Sequence, residues 1–199
     1  MEGDIHLKMT ELMGVAKRAF NAHLQTGTGG NISVRLKQGD AVVIKPSGVG
    51  FYEVNEDNLL VVDLEGKILR GSAKPSKDMP FHLGIYRVRP EVNGVVHVHS
   101  PWATAWAALG KEIPTPTVQS RTKLGRIPLV PVGPDGISQT SESIIELFRE
   151  KPVVAVILED HGSVGVGKTL LAAEHMVELV EETAQIAAVA HIMKGLEVD

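Results

Sequence analysis

Two histidines one residue apart, His97 and His99, stand in the apolar run Val95-Val96-His97-Val98-His99-Ser100. In an extended strand, residues two apart project from the same face, so both imidazoles point together between valines that stiffen the strand. Such a pair is half of a site for zinc or a related divalent ion. His161 lies in Glu159-Asp160-His161-Gly162-Ser163, just after the apolar run Val153 to Leu158. A third imidazole brought in there completes a three-histidine set with open coordination positions, the form of a catalytic metal site. Three imidazoles accept Zn2+, Mn2+ or Co2+. An H-x-H pair alone also arises among packing or surface histidines, and that reading stays open on these residues. His6, His23, His175 and His191 read as surface or packing residues of helices. His82, four residues after Asp78, can share a helix face with it and lie near the metal.

Three loops carry the marks of anion binding. Thr28-Gly29-Gly30-Asn31 allows the backbone to close around an anion, as a nest of N–H groups does. Pro46-Ser47-Gly48 adds a hydroxyl and another exposed N–H. Lys74-Pro75-Ser76-Lys77-Asp78 opens a helix, whose first N–H groups and dipole favour phosphate. Each loop alone reads as an ordinary turn; three of them beside a histidine pair point to a phosphorylated substrate. A fourth segment, Gly162 to Thr169, spells G-x-x-x-x-G-K-T, the spacing of a nucleotide-binding loop. Only about thirty residues follow it, nearly all in one helix, so no downstream strand can supply a metal-holding aspartate. Its Val-Gly-Val core reads as a strand, and nucleotide hydrolysis is rejected.

The elements that must position these residues follow from periodicity. Ile5 to Gln25 has helical spacing at Leu7, Leu12, Val15, Ala16, Ala19, Phe20 and Leu24, and stops at the TGTGGN cluster. Strands are expected at Asn31 to Arg35, Ala41 to Pro46 and Leu59 to Asp63, with a hairpin at Glu65-Gly66 into Ile68 to Leu69. Ser76 to Val88 reads as a helix with Pro80 in its first turn. Then come a strand at Asn93 to His99, a short helix at Pro101 to Leu109, and two strand-like pieces around Ile127 to Val132. Ser138 to Arg149 is helical, with Thr140 or Ser141 as a cap. Strands follow at Val153 to Leu158 and Val164 to Val166. The last helix, Lys168 to Met193, has an apolar face of Leu171, His175, Val177, Leu179, Val180, Ala184 and Ala187. The pattern is one α/β or α+β domain.

Composition narrows the partners. Twenty basic against twenty-four acidic residues give a net charge of -4, which argues against non-specific nucleic-acid or anionic-membrane binding. The chain has no cysteine, so disulfides, thiolate nucleophiles and cysteine-ligated zinc are excluded. The N-terminus lacks the apolar core of a signal peptide and no run reaches transmembrane length, so the expected location is the cytoplasm.

Taken together and in this order, five segments resemble the class II aldolase/adducin family: GTGGNISVR at 27–35, KPSGVGFY at 45–52, KPSKDMPFH at 74–82, VVHVHSPWATAWA at 95–107 and LEDHGSVGVG at 158–167. The likeness runs from about Leu12 to Ala190. It implies a single α/β domain over residues 1–199, with a central, mainly antiparallel sheet between helix layers. It also implies a homotetramer with active sites at subunit interfaces. His97, His99 and His161 match the family's zinc ligands. Asn31, Ser47, Gly48, Ser76 and Lys77 match the positions that hold the substrate phosphate, and Asp78 matches the acidic residue beside the metal. The activity implied is reversible retro-aldol cleavage of a ketose 1-phosphate of the L-fuculose 1-phosphate kind, through an enediolate, to dihydroxyacetone phosphate and an aldehyde. The same family holds L-ribulose-5-phosphate 4-epimerases, sugar-acid-phosphate decarboxylases and the non-catalytic adducin head domains, which lose the zinc histidines. Two departures bear on the choice. The stretch Ile113 to Arg126 has neither the tyrosine of the aldolases nor the aspartate of the epimerases, and the ending KGLEVD has no tyrosine. A decarboxylase could set Arg121 or Lys123 against a substrate carboxylate; otherwise these are solvated loop charges.

Overall fold

The computed structural model describes residues 2–37, 40–133 and 137–195, the side chains of residues 137–139 excepted. In chain order the elements are α1 (Glu2–Asn21), β1 (Asn31–Arg35), β2 (Ala41–Ile44), β3 (Leu60–Asp63), β4 (Ile68–Arg70), α2 (Met79–Val88), β5 (Gly94–Val98), α3 (Pro101–Ala108), α4 (Val118–Lys123), β6 (Leu129–Val130), α5 (Ile137–Arg149), β7 (Ala155–Leu158), β8 (Gly162–Gly167) and α6 (Leu170–Gly195). The strands form one sheet in the order β4-β3-β2-β1-β5-β8-β7-β6. Neighbours are antiparallel except β6 and β7. The expected mainly antiparallel α/β domain is what the chain forms.

Strands β2, β5 and β7 are buried at every position, and their near-continuous apolar sequences fit a sheet covered on both faces. On one face Val34, Val43, Val96 and Val98 pack against α1 and the start of α6; Ala155 and Ile157 pack against α3 and the middle of α6. On the other, Val95, Val156, Val164 and Val166 pack against Phe81, Ile85 and Tyr86 of α2 and Ile144 and Phe148 of α5. His97 belongs to this second face by its spacing from Val95.

Several boundaries differ from the sequence reading, each for a physical reason. α1 begins earlier and buries Ile5 and Met9, while Leu7 faces out. α2 starts at Met79, because Lys77 and Asp78 form a turn in which the Met79 N–H donates to the Ser76 carbonyl and the Asp78 N–H to the Ser76 hydroxyl; Pro80 falls in the first turn as expected. Of the two strand-like pieces only Leu129–Val130 pairs, and β7 begins at Ala155. Thr140 and Ser141 lie inside α5, which has already begun at Ile137, so neither is its cap. Arg121 and Lys123 belong to α4, a helix the sequence reading left as loop; a reciprocal cap between Thr117 and Ser120 starts it. In α6, Leu171 and His175 face outward, and Glu174 and Thr183 take buried positions instead.

The nucleotide-loop pattern also resolves into structure. Gly162 to Gly167 is β8, flanked by antiparallel partners, and Thr169 accepts the Ala172 N–H as the cap of α6. The glycines are there for clearance. A Cβ at Gly165 would lie 2.9 Å from the Ala173 carbonyl oxygen, and one at Gly167 would lie 2.5 Å from the Ala173 nitrogen. Gly167→Ala is therefore expected to destabilise the fold by about 1–3 kcal/mol, as overpacking against backbone does. Lys168→Ala, on the exposed turn, is expected to leave stability unchanged. Urea midpoints of the two variants check both, and an unshifted Gly167→Ala would refute the clearance argument.

Candidate metal centre

His97 is fixed by β5, which is hydrogen-bonded on both sides, opposite Asn31 of β1 and Val164 of β8. Its ring is fully buried, and Nδ1 lies 2.9 Å from the Ser163 carbonyl oxygen. A carbonyl only accepts, so Nδ1 carries the proton and Nε2 is left as a bare lone pair. His99 follows the strand end, where its backbone N–H donates to Gln25 Oε1 at 2.8 Å. The His99 ring sits in a slot of backbone: a Cβ on Gly29 would approach its Nδ1 to 2.8 Å, and one on Gly162 would approach its Cδ2 to 3.0 Å. His161 closes the turn between β7 and β8, its N–H bonded to the Leu158 carbonyl, with Asp160 before it at φ 52. That left-handed residue suits a three-residue hairpin loop.

The three Nε2 atoms converge: His99 lies 3.0 Å from His97 and 3.2 Å from His161. One proton on His99 cannot bridge both gaps, whereas a shared cation explains them. A tetrahedral ion with Zn–N of about 2.0–2.1 Å has an N···N edge of roughly 3.3 Å, close to these separations. Burial, with His161 nearby, holds His97 down to about 3. Burial, then His97 and His161, holds His99 down to about 3, and burial lowers His161 as well. All three rings are thus neutral at pH 7, the state a metal needs. The donor set fits a divalent ion.

Asp78 stands at the N-cap position of α2 without a side-chain capping bond, within electrostatic reach of the triad. Burial raises its carboxyl above the ordinary aspartate range, and His161 and His99 pull it back, which places it electrostatically beside both. The anion loops also meet. Lys45, which the sequence reading passed over, is buried at the end of β2 and donates to Val49 O at 2.6 Å and Pro46 O at 3.2 Å. Its Nζ is also 3.5 Å from Thr28 O, tying the first loop to the second. Burial brings it down to about 8, against the pull of Asp78. The Ser47 N–H donates to Lys74 O, tying the second loop to the third. Ser47, Gly48 and Lys77 are exposed at this junction, Ser76 is half-buried, and Asn31 is buried with its Oδ1 on the Ile32 N–H and its Nδ2 unpartnered.

Other candidates fall elsewhere. His82, expected to share a helix face with Asp78 near the metal, is fully buried on α2 with Nδ1 on Ser33 Oγ at 2.8 Å, and it is not among the converging imidazoles. Arg121 braces the turn before its own helix through the Thr115 and Pro116 carbonyls. Glu174, His175 and Glu178 form a second ligand-rich group, but Arg18 already pairs both carboxylates, Glu174 at 2.9 Å. A guanidinium there opposes a cation. A hollow of about 630 Å3 between α4 and α6 is lined by none of the histidine triad. Lys45 and Gln25 had one sequence signal between them: a lysine closing the apolar strand Ala41 to Ile44, where a charge has no business unless it is used.

Comparison with known proteins gives the family. The family profile "Class II Aldolase and Adducin N-terminal domain" matches residues 10–188, and the chain belongs to that family. It is an enzyme of the metal-dependent aldolase type. L-fuculose phosphate aldolase of Methanococcus maripaludis is 29% identical over 188 residues, 94% of this chain and 100% of that one. L-ribulose-5-phosphate 4-epimerase of Salmonella paratyphi C is 36% identical over 177 residues, 84% of this chain and 78% of the other. The crystal structure of YgbL from Escherichia coli, described as an aldolase, epimerase or decarboxylase, superposes with a TM-score of 0.85 at 31% identity, covering 94% of this chain and 90% of that one. Among the described residues no helix is long and apolar enough to cross a membrane.

Proposed function

We propose that the protein cleaves a ketose 1-phosphate of the L-fuculose 1-phosphate kind, reversibly, into dihydroxyacetone phosphate and an aldehyde. The observation that carries this reading is the convergence of three neutral imidazoles beside the Asp78 carboxyl, where the three anion loops meet. His97, His99 and His161 hold a divalent ion, zinc in the first instance. Bound there, it supplies Lewis-acid stabilisation of the charge that develops on the substrate's carbonyl oxygen. Asn31, Ser47, Gly48, Ser76 and Lys77 take the phosphate and fix the distance from it to the reacting carbons. In the synthetic direction Asp78 takes the proton from the carbon next to the ketone, that carbon bonds to the aldehyde carbon, and the aldehyde oxygen takes a proton from solvent to become the hydroxyl. In cleavage the hydroxyl gives its proton to solvent as the carbon–carbon bond breaks, and Asp78 returns a proton to the carbon next to the ketone. A carboxyl whose affinity for protons is raised by burial suits both roles.

The epimerase is the second reading, favoured by the 36% identical relative and by an aspartate at position 78. The residues Thr117 to Arg126 carry no acid to support it. A decarboxylase would need Arg121 or Lys123 at the substrate, and both lie on α4, Arg121 engaged with its own turn. The proposal includes a cytoplasmic location and a homotetramer; the apolar groove that exposed Trp102, Leu109 and Ile192 form between α3 and α6 is a face that a further copy could cover. Product analysis on a panel of ketose 1-phosphates and pentulose 5-phosphates tests the reaction. Aldehyde release is expected; a C4 epimer without aldehyde, or carbon dioxide, would overturn the aldolase assignment.

A further inference from the structure

At the metal end of the sheet, β5 runs past the start of its neighbour β1. The hydrogen-bonded pairs between them are set by the Arg35 N–H, which donates to the Asn93 carbonyl at 2.9 Å. Such pairs recur at every second residue of an antiparallel ladder, so Val95 with Ser33 and His97 with Asn31 follow. The next pair would join His99 to Gly29. The ladder stops short of it, because β1 begins at Asn31 and Gly30, at φ 63, turns the chain aside. The residue that must present an imidazole to the metal is thus the first one beyond the support of the sheet.

Gln25 takes over there. Its Oε1 accepts the His99 N–H at 2.8 Å, and its Nε2 donates to the Thr26 carbonyl at 2.7 Å. Together the two contacts fix which way the amide faces, since the reverse would set N–H against N–H and oxygen against oxygen. The residue is 2% exposed, and backbone closes on the amide: a Cβ on Gly30 would lie 2.4 Å from Oε1, and one on Gly29 would lie 2.9 Å from Nε2. The end of α1 delivers the side chain to this slot. His23, at φ 58, donates its N–H to the Phe20 carbonyl, and the Leu24 N–H donates to the Ala19 carbonyl, both at 3.0 Å. These are the paired bonds of a Schellman end, and Leu24 is buried in the same core as Ala19. The chain therefore leaves the helix in a set direction, and Gln25 is the next residue.

We infer that Gln25 is a positioning residue of the metal centre: its side-chain amide stands in for the missing strand and holds the His99 backbone so that the ring meets His97 and His161. His97 is held by ladders on both sides and His161 by the bond within its own turn. His99 is held by a side chain carried in from the end of another element. This rests on the reading that the three imidazoles bind a divalent ion.

The test is the affinity of the full-length protein for Zn2+, read by competition with a chromophoric chelator. It is paired with the visible spectrum of the Co2+-loaded protein, which reports coordination geometry. Gln25→Met keeps the length of the side chain and removes both bonds; Gln25→Glu keeps the acceptor oxygen. Gln25→Met is expected to weaken Zn2+ binding about tenfold or more, in the range for lost outer-sphere partners, and to alter the Co2+ spectrum. Gln25→Glu is expected to recover most of that affinity. A Gln25→Met protein that binds Zn2+ like the parent, or loses affinity with its Co2+ spectrum unchanged, would overturn the inference. Equal losses in the two variants would do the same, because packing and not the acceptor would then be at work. A parent that binds no Zn2+ would overturn the metal reading and the inference with it. Hydrogen exchange in the unsubstituted protein depends on no variant's folding. The His99 amide is expected to be protected like that of His97 in the ladder, and exchange at the rate of an exposed loop would refute the bond.

Discussion

His97→Ala is expected to yield protein that emerges from gel filtration without its divalent ion and shows no measurable turnover. The expectation follows from how much of the centre this ring carries. It is the fully buried member of the triad, the one whose tautomer the Ser163 carbonyl sets, and it lies between β1 and β8 in the middle of the sheet. Loss of an outer-sphere partner of a ligand typically costs about 10–100-fold in metal affinity, so loss of the ligand itself falls beyond about 100-fold. The variant also leaves a cavity, so its circular dichroism and melting curve must accompany the metal analysis. A folded His97→Ala protein with stoichiometric metal and parental turnover would sink the whole scheme.

Asp78→Asn is expected to separate proton transfer from metal binding. The amide keeps the size of the carboxyl but cannot take a proton, and turnover should fall by about 10²–10⁴-fold, the usual contribution of a general base. Metal content should stay at the parental level, because the three imidazoles converge without Asp78. The direct readout is exchange of solvent deuterium into the carbon next to the ketone of dihydroxyacetone phosphate, which the parent catalyses and the variant should not. Loss of metal in Asp78→Asn would make the residue a ligand. Parental exchange with metal retained would assign the proton to another group, and Lys45, brought down to about 8 by burial and within reach of the Asp78 charge, is then the candidate.

The triad was readable in advance because strand alternation is a strict period: once Val95 to Val98 is a strand, His97 and His99 can only share a face. His161 was readable because the apolar run before it marks a strand end. The loops were recognised as separate segments, but their contact was not, since Lys45 binding Thr28 and Ser47 binding Lys74 are tertiary events without a local pattern. Helix α4 was missed for the opposite reason. VQSRTK has no apolar period, and the Thr117–Ser120 cap is what starts it. In α6, period alone put His175 inside and left Glu174 out. The reverse holds because Arg18, from α1, reaches the Glu174 carboxylate.

Where α6 crosses β8, the two elements touch backbone to backbone, Gly165 and Gly167 against Ala173. Side-chain layers are compressible: a rotamer can change and a neighbour can repack, so helix-to-sheet distances drift as sequences change. Where backbone meets backbone there is little to compress, and the side chains beside it, Ala172, Met176 and Val177, are already in close contact. That crossing works as the datum of the molecule, a spacing that substitution cannot trim without being felt. The same β8 pairs with β5 and meets the Nδ1 of His97 through the Ser163 carbonyl, so the placement of the His97 ring is referred to a contact with little room to adjust.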